Sequence, residues 1–228
     1  SKKYFNIEKG GLRPGEKLVN KDLAHTLNVI KEKGSDALLK GNIAKSIVMT
    51  VKVSGNPGLL TNADFALVKP KILTPLCGNY RGWKVCGIGP PSSGGITVLQ
   101  ILGILNNFKL NISNIDEAEV WHLFLEASKL AYTDRDYYIA DDTFVEVPIS
   151  DMLDVKYLES RANQINKDSI NQSVKPGKFK NKIVNTIGKD ITSELDSTTH
   201  ISVIDQFGNA ASLTSSIEFM FGSGLTVS

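Results

Sequence analysis

Cysteine and histidine are scarce in this chain of 228 residues. Its two cysteines, Cys77 and Cys86, are too few for a disulfide framework and lack the spacing of a metal site. The three histidines, His25, His122 and His200, form no ligand motif, so no metal or other cofactor is expected. An excess of one charge is also missing. Lys and Arg total 26 against 24 Asp and Glu, a net +2 without a long basic run. That argues against a nucleic-acid partner, whose phosphates call for a clustered positive surface. Long apolar runs are absent as well. A membrane helix needs about 20 apolar residues, whereas the longest segment, Ile96 to Leu105, is interrupted by Thr97, Gln100 and Gly103 and reads as a buried helix. The opening Ser1-Lys2-Lys3-Tyr4-Phe5 is neither a Met start nor a signal peptide, so the expectation is an internal piece that has lost any targeting segment, with localisation unread. What is present, 41% hydrophobic and 22% charged residues, suits a globular chain able to bury a sizeable core.

Along the chain, Asn20 caps an amphipathic run closed by Gly34, and a second helical stretch is expected over about 37–53. Thr61 reads as the N-cap of a short helix with Asp64 in its first turn. Pro90-Pro91-Ser92-Ser93-Gly94-Gly95 reads as a tight turn and helix cap, through Ser92 or Ser93, rather than a phosphate cradle. A long helix is expected over about 115–139, with Val120, Phe124, Ala127 and Ala131 inward and Glu126, Lys129 and Asp134 polar. Asp134 and Arg135 read as ion-pairing residues on the helix surface or between layers, and Trp83 and Trp121 as packing residues. Pro148 opens another helical region to about Ile165. From Asn166 to Ser197 the pattern dissolves into Lys, Ser and Asn around Pro176-Gly177, the composition of a long mobile connection.

Leu76 to Ile88 reads as a hairpin. If Arg81-Gly82 form a two-residue turn, facing positions sum to 163, and Cys77 faces Cys86 at a non-hydrogen-bonded pair. Such a pair is close enough for a disulfide. Two small buried thiols fit the same register and are the favoured state, since so short a loop gains little from closure and a reducing cytosol would keep them apart.

After residue 197 the period becomes two. Asp205 to Asn209 supplies a turn with Gly208 in its left-handed position, and paired residues then sum to 414. Thr198 lies opposite Ser216. One face carries Thr198, His200, Ser202, Ser212, Thr214 and Ser216, and the other Ile201, Val203, Ala211 and Leu213. Hydroxyls are common on solvated strand faces, and His200 alone reads as a hydrogen-bonded structural residue rather than a base.

Several segments now resemble one family in order. Tyr80-Arg81-Gly82-Trp83, Pro90 to Gly95, Glu126-Ala127 and Lys129 to Arg135 look like the large-subunit core of γ-glutamyltranspeptidases. Thr198-Thr199-His200-Ile201-Ser202-Val203, Gly208-Asn209-Ala210 and Phe221-Gly222-Ser223-Gly224 look like the start of the small subunit. The resemblance implies an α+β fold, the αββα sandwich of N-terminal-nucleophile hydrolases, of which this chain would hold part. It also implies a precursor that cleaves itself between Ser197 and Thr198. On that pattern residues 1–165 are large-subunit-like, 166–197 form a mobile maturation loop, and 198–228 begin the small subunit.

The same resemblance assigns Thr198 as nucleophile, its freed α-amino group as general base, and Ser216 as the neighbouring hydroxyl where the family has threonine. Glu218 stands where the family has a substrate-lining asparagine, and a carboxylate there would repel a glutamate α-carboxylate unless paired or protonated. The implied substrates are a glutathione-like γ-glutamyl compound and an amine or water acceptor, with the remainder of the same precursor as partner and members often extracytoplasmic. The family's carboxylate-binding arginine and oxyanion glycines fall outside residues 1–228, so this piece alone is expected to be inactive. Alternatives are an amidase or acylase of altered acyl specificity, a poly-γ-glutamate transferase, or an unprocessed non-catalytic relative.

Overall fold

The computed structural model describes residues 10–109, 117–179, 198–217 and 222–227. They belong to two compact units, one of residues 1–70 and 193–228, the other of residues 71–192.

In the first unit, α1 (Lys21–Lys33) begins where the Asn20 side chain accepts the Leu23 N–H at 2.9 Å. Asp22 sits in its first turn, and Lys31 and Lys33 in its last, each matched to the helix dipole. The stretch expected as one helix over about 37–53 is two, α2 (Asp36–Leu39) and α3 (Asn42–Lys52). The break falls at Gly41, where a Cβ would stand 2.7 Å from the Ala37 carbonyl oxygen, so the chain turns more tightly than another residue allows. Ala37, Ala44 and Val48 are buried there. Helix α4 (Asn62–Leu67) starts on the expected cap: Thr61 and Asp64 form a reciprocal capping box. That hydroxyl and backbone N–H hold the Asp64 carboxyl below its ordinary value. The unit also contains the hairpin of β3 (Thr198–Ile204) and β4 (Ala210–Ser216).

The second unit opens with β1 (Leu76–Tyr80) and β2 (Trp83–Gly87), joined by Arg81 and Gly82, both at positive φ. Cys77 faces Cys86, and the two are bonded as a disulfide with Cα atoms 4.1 Å apart. Both residues are exposed, which corrects the expectation of buried thiols. Strand β2 meets α5 (Gly94–Leu105) at Gly87 and Gly95, where neither backbone leaves room for a Cβ. Ser93 takes the N-cap position of α5, but its side chain does not cap; it accepts from Arg135 Nε at 3.1 Å instead. Helices α5, α6 (Glu117–Tyr138) and α8 (Val155–Ala162) bury one core of Ile101, Ile104, Leu105, Leu123, Ala127, Leu130, Ala131, Leu158 and Ala162. A second cluster gathers Ile96, Tyr138, Val147 and Met152 around the short α7 (Ile149–Met152). The helical region expected from Pro148 is interrupted because Asp154 caps α8 by accepting the Tyr157 N–H at 3.1 Å.

Ala127 and Ala131 of the expected apolar stripe are buried and Val120 is half-buried, but the inward face of α6 also takes in two acids. Leu123, Ala127, Leu130, Ala131 and Tyr138 are buried together with Glu126 and Asp134, while Phe124 is exposed. The two acids are tolerated because each has partners. Glu126 pairs with Lys129 and accepts the Asn171 N–H at 3.1 Å. Asp134 pairs with Arg161 at 3.1 Å, both almost fully buried. It also accepts from Gly177 N at 2.8 Å, Tyr157 Oη at 2.5 Å and Gln100 Nε2 at 3.3 Å. Asp134 is therefore an interior residue, and Arg135 is the one that pairs at the surface, with Asp136.

Trp83 and Trp121 do not pack inside; they are 76% and 61% exposed. Trp83 shares the parity of the half-buried Val85 and Gly87 but sits at the hairpin tip, and Trp121 meets Phe124 edge-on across the outer side of α6.

Candidate active site

The hairpin that carries the candidate residues is built from its turn outward. Asp205 accepts the N–H groups of Phe207 and Asn209 and the Asn209 side-chain amide, all at 2.8 or 2.9 Å. These bonds, led by that of Asn209, hold the Asp205 carboxyl below its ordinary value. Gly208 donates to the Asp205 carbonyl and takes φ +83°, a left-handed conformation that costs a residue without Cβ nothing. The three-residue loop this produces sets the register that follows from it: Thr198 faces Ser216, His200 faces Thr214, Ser202 faces Ser212, and Ile204 faces Ala210.

Counting outward from the bonded Asp205–Asn209 pair places Thr198–Ser216 at a non-hydrogen-bonded position. There Cα atoms stand about 4.5 Å apart and side chains lean together. The same parity explains the contacts between. His200 Nδ1 lies 2.8 Å from Thr214 Oγ1, and its Nε2 lies 3.0 Å from Ser202 Oγ and 3.1 Å from Ser212 Oγ. One imidazole thus ties both strands together on the hydroxyl face, two residues along from Thr198. His200 is hydrogen-bonded, as read from the sequence; its three partners, which sequence reasoning did not name, follow from the register.

Every residue of β3 and β4 is exposed, on both faces. Thr198 opens β3 and Ser216 closes β4, so the two hydroxyl-bearing residues share one end of the ribbon. Ser197 and Glu218, the other two candidate residues, lie outside the described residues. Among the described residues, no group of three or more His, Cys, Asp or Glu could hold a metal ion. No described helix is long and apolar enough to cross a membrane.

The family model described as Gamma-glutamyltranspeptidase matches residues 1–228. The glutathione hydrolase proenzyme of Escherichia coli (strain K12) is 38% identical over 227 residues, covering 99% of this chain and 37% of that protein. The chain therefore spans little more than a third of the length of that relative. Among solved structures, the γ-glutamyltranspeptidase of Helicobacter pylori superposes with a TM-score of 0.73 at 34% identity, covering 81% of this chain and 53% of that one. The cephalosporin acylase of Bacillus halodurans superposes with a TM-score of 0.80 at 25% identity, covering 99% and 38%. The mixed helix-and-strand architecture is thus part of the N-terminal-nucleophile hydrolase fold that these enzymes share. On the family match and the shared fold, the chain belongs to the γ-glutamyltranspeptidase family.

Proposed function

We propose that the protein of which this chain is part transfers or hydrolyses γ-glutamyl groups through an ester on Thr198, formed after the precursor cleaves itself between Ser197 and Thr198. The observation that carries this reading is the pairing of Thr198 with Ser216 at one end of the β3–β4 hairpin. In the first step Thr198 Oγ attacks the Ser197 carbonyl carbon. The peptide C–N bond breaks, an ester joins residue 197 to Thr198 Oγ, and its hydrolysis leaves Thr198 with a free α-amino group. That amine, with an ordinary pKa of about 7.7–8.0, takes the Oγ proton in the second reaction. Oγ then attacks the γ-carbonyl of a glutathione-like substrate, the amine leaving group departs with a proton, and water or an acceptor amine resolves the ester. Ser216, across the ribbon, is assigned to hydrogen-bond the Thr198 hydroxyl and orient it.

On this reading residues 1–165 belong to the large subunit, 166–197 to the maturation segment and 198–228 to the small subunit, with the rest of the precursor as partner. A second reading, an acylase acting on glutaryl-like groups, is favoured by Glu218 in place of the family's asparagine. The Bacillus halodurans acylase similarity points the same way. Hydrolysis of γ-glutamyl against glutaryl anilides separates the two.

The test of the shared mechanism is a denaturing gel of the full-length precursor and its Thr198→Ala variant. The wild type is expected to give two bands, the smaller beginning at Thr198. The variant should give one band and no turnover, because one hydroxyl serves both steps. Turnover at the wild-type rate in Thr198→Ala, or a single wild-type band after long incubation, would contradict it.

A further inference from the structure

The β1–β2 hairpin has two unlike faces. Leu76, Gly78, Tyr80, Val85 and Gly87 are half-buried on the one turned to α5. Cys77, Asn79, Lys84 and Cys86 share the other and are exposed. Strands covered on both sides read as continuous apolar runs, so Asn79 and Lys84 mark this second face as one that water reaches. The packed face holds the hairpin without help from the sulfurs. Leu76 joins the cluster of Ile96 and Tyr138, and Tyr80 joins that of Ile101 and Leu123. Asn106 Nδ2 donates to the Asn79 carbonyl at 3.0 Å, and Arg81 donates to the Phe108 carbonyl at 3.3 Å.

Breaking the S–S bond therefore leaves Cys77 facing Cys86 in the same register, poised to bond again. The disulfide closes a short ring, across a sequence separation of 9, so it gains less from loop closure than a bond between distant segments. Exposed bonds of this kind are the ones that thiols reach and exchange with, whereas structural ones resist them. Lys84 stands two residues from Cys86 on the same face, about 7 Å along the strand. In water a unit charge at that distance changes the local concentration of an anion about threefold at low salt.

We infer that the Cys77–Cys86 pair is a reversible redox site that exchanges with small anionic thiols of the glutathione class, with Lys84 drawing the thiol in. A thiolate attacks one sulfur of the pair. The S–S bond breaks, a mixed disulfide forms, and the other cysteine leaves as a thiolate that takes up a proton. A second small thiolate then attacks its partner in the mixed disulfide, releases the remaining cysteine as a thiolate and departs as the oxidised small-molecule disulfide. Two small thiols are oxidised and the protein disulfide is reduced by the same two electrons. The small-molecule disulfide drives the steps in reverse. No step uses Thr198, and every group involved lies in the unit of residues 71–192.

The test incubates the native full-length protein with reduced glutathione. Acid-quenched samples are labelled with a maleimide, and mass spectrometry follows the peptides that contain Cys77 and Cys86 while circular dichroism follows the helices. Both cysteines are expected to become labelled, with a glutathione adduct on one of them along the way. The helical signal should persist, and oxidised glutathione should restore the bond. Labelling that appears only in urea, or that keeps step with loss of the helical signal, would overturn the site and mark the bond as purely structural. Lys84→Gln should slow exchange with glutathione about threefold at low salt and leave exchange with uncharged 2-mercaptoethanol unchanged. Equal rates in variant and wild type with glutathione, or equal slowing with both thiols, would overturn the part given to Lys84.

Discussion

Replacing Arg161 by Met tests the buried pair on which α5, α6, α8 and residues 175–177 converge. Methionine keeps most of the side-chain length while removing the charge. Asp134, 1% exposed in its side chain, would lose its ion-pair partner at 3.1 Å. The carbonyls of Leu130 and Lys175 would each lose a donor at 3.0 Å. Removing one member of a buried ion pair costs about 3–5 kcal/mol, because the remaining carboxylate keeps its hydrogen bonds but has neither water nor a countercharge. Asp134→Asn combined with Arg161→Met should recover part of that loss, since Asn is uncharged and still offers an oxygen to the Gly177 N–H.

The pH dependence follows from the direction of the Asp134 shift. Burial holds this carboxyl above its ordinary value, outweighing the opposing pull of Arg161 and of the hydrogen bonds from Tyr157, Gly177 and Gln100. The folded chain then binds the proton more tightly than the unfolded one. The contribution of Asp134 to stability is complete below the unfolded value and is lost as pH rises through the folded value. Without Arg161 the folded value rises further. The deficit of Arg161→Met should therefore be largest near neutral pH and shrink as the pH is lowered into the raised range of Asp134. Urea unfolding followed by far-ultraviolet circular dichroism reads this, because α5, α6 and α8 lie in the same compact unit as the pair. A deficit below about 1 kcal/mol at neutral pH, or one that does not shrink as the pH is lowered, would refute the argument.

Three further outcomes are expected. Ser216→Ala should slow self-cleavage of the precursor more than it lowers thermal stability, since it removes a hydroxyl and leaves the register intact; equal cleavage rates would remove Ser216 from the site. Glu218→Asn should raise activity on γ-glutamyl relative to glutaryl anilides, and an unchanged ratio would show that residue 218 does not touch the acyl group. Reduction of the Cys77–Cys86 bond, or Cys77→Ser with Cys86→Ser, should lower stability by about 2–3 kcal/mol on loop-closure grounds, read as a reductant-dependent fall in melting temperature; a melting curve indifferent to reductant would show that the bond contributes nothing.

Features governed by neighbours in sequence were legible without coordinates. Asn20 and Thr61 act as caps because the groups they satisfy lie three residues away. Turn length and strand parity are equally local, so Arg81-Gly82 was enough to pair Cys77 with Cys86, and Gly208 was enough to pair Thr198 with Ser216. The hydroxyl face came with that register, whereas the roles proposed for Thr198, Ser216 and Glu218 came from the resemblance to γ-glutamyltranspeptidases.

Features governed by distant partners were not legible. Whether the facing cysteines bond depends on redox setting and on exposure, and neither is written in their spacing. The α6 periodicity pointed to Phe124 and away from Glu126 and Asp134, because an acid looks solvated until a buried arginine 27 residues later and a backbone N–H 43 residues later are brought to it. Tertiary structure likewise turned Pro176-Gly177 from a loop signal into a held point. Glycine there answers to the ring of Tyr157, a contact that local pattern does not encode. Nearest-neighbour chemistry set the caps, turns and registers of this chain; long-range desolvation and packing decided which of its charged residues could live inside.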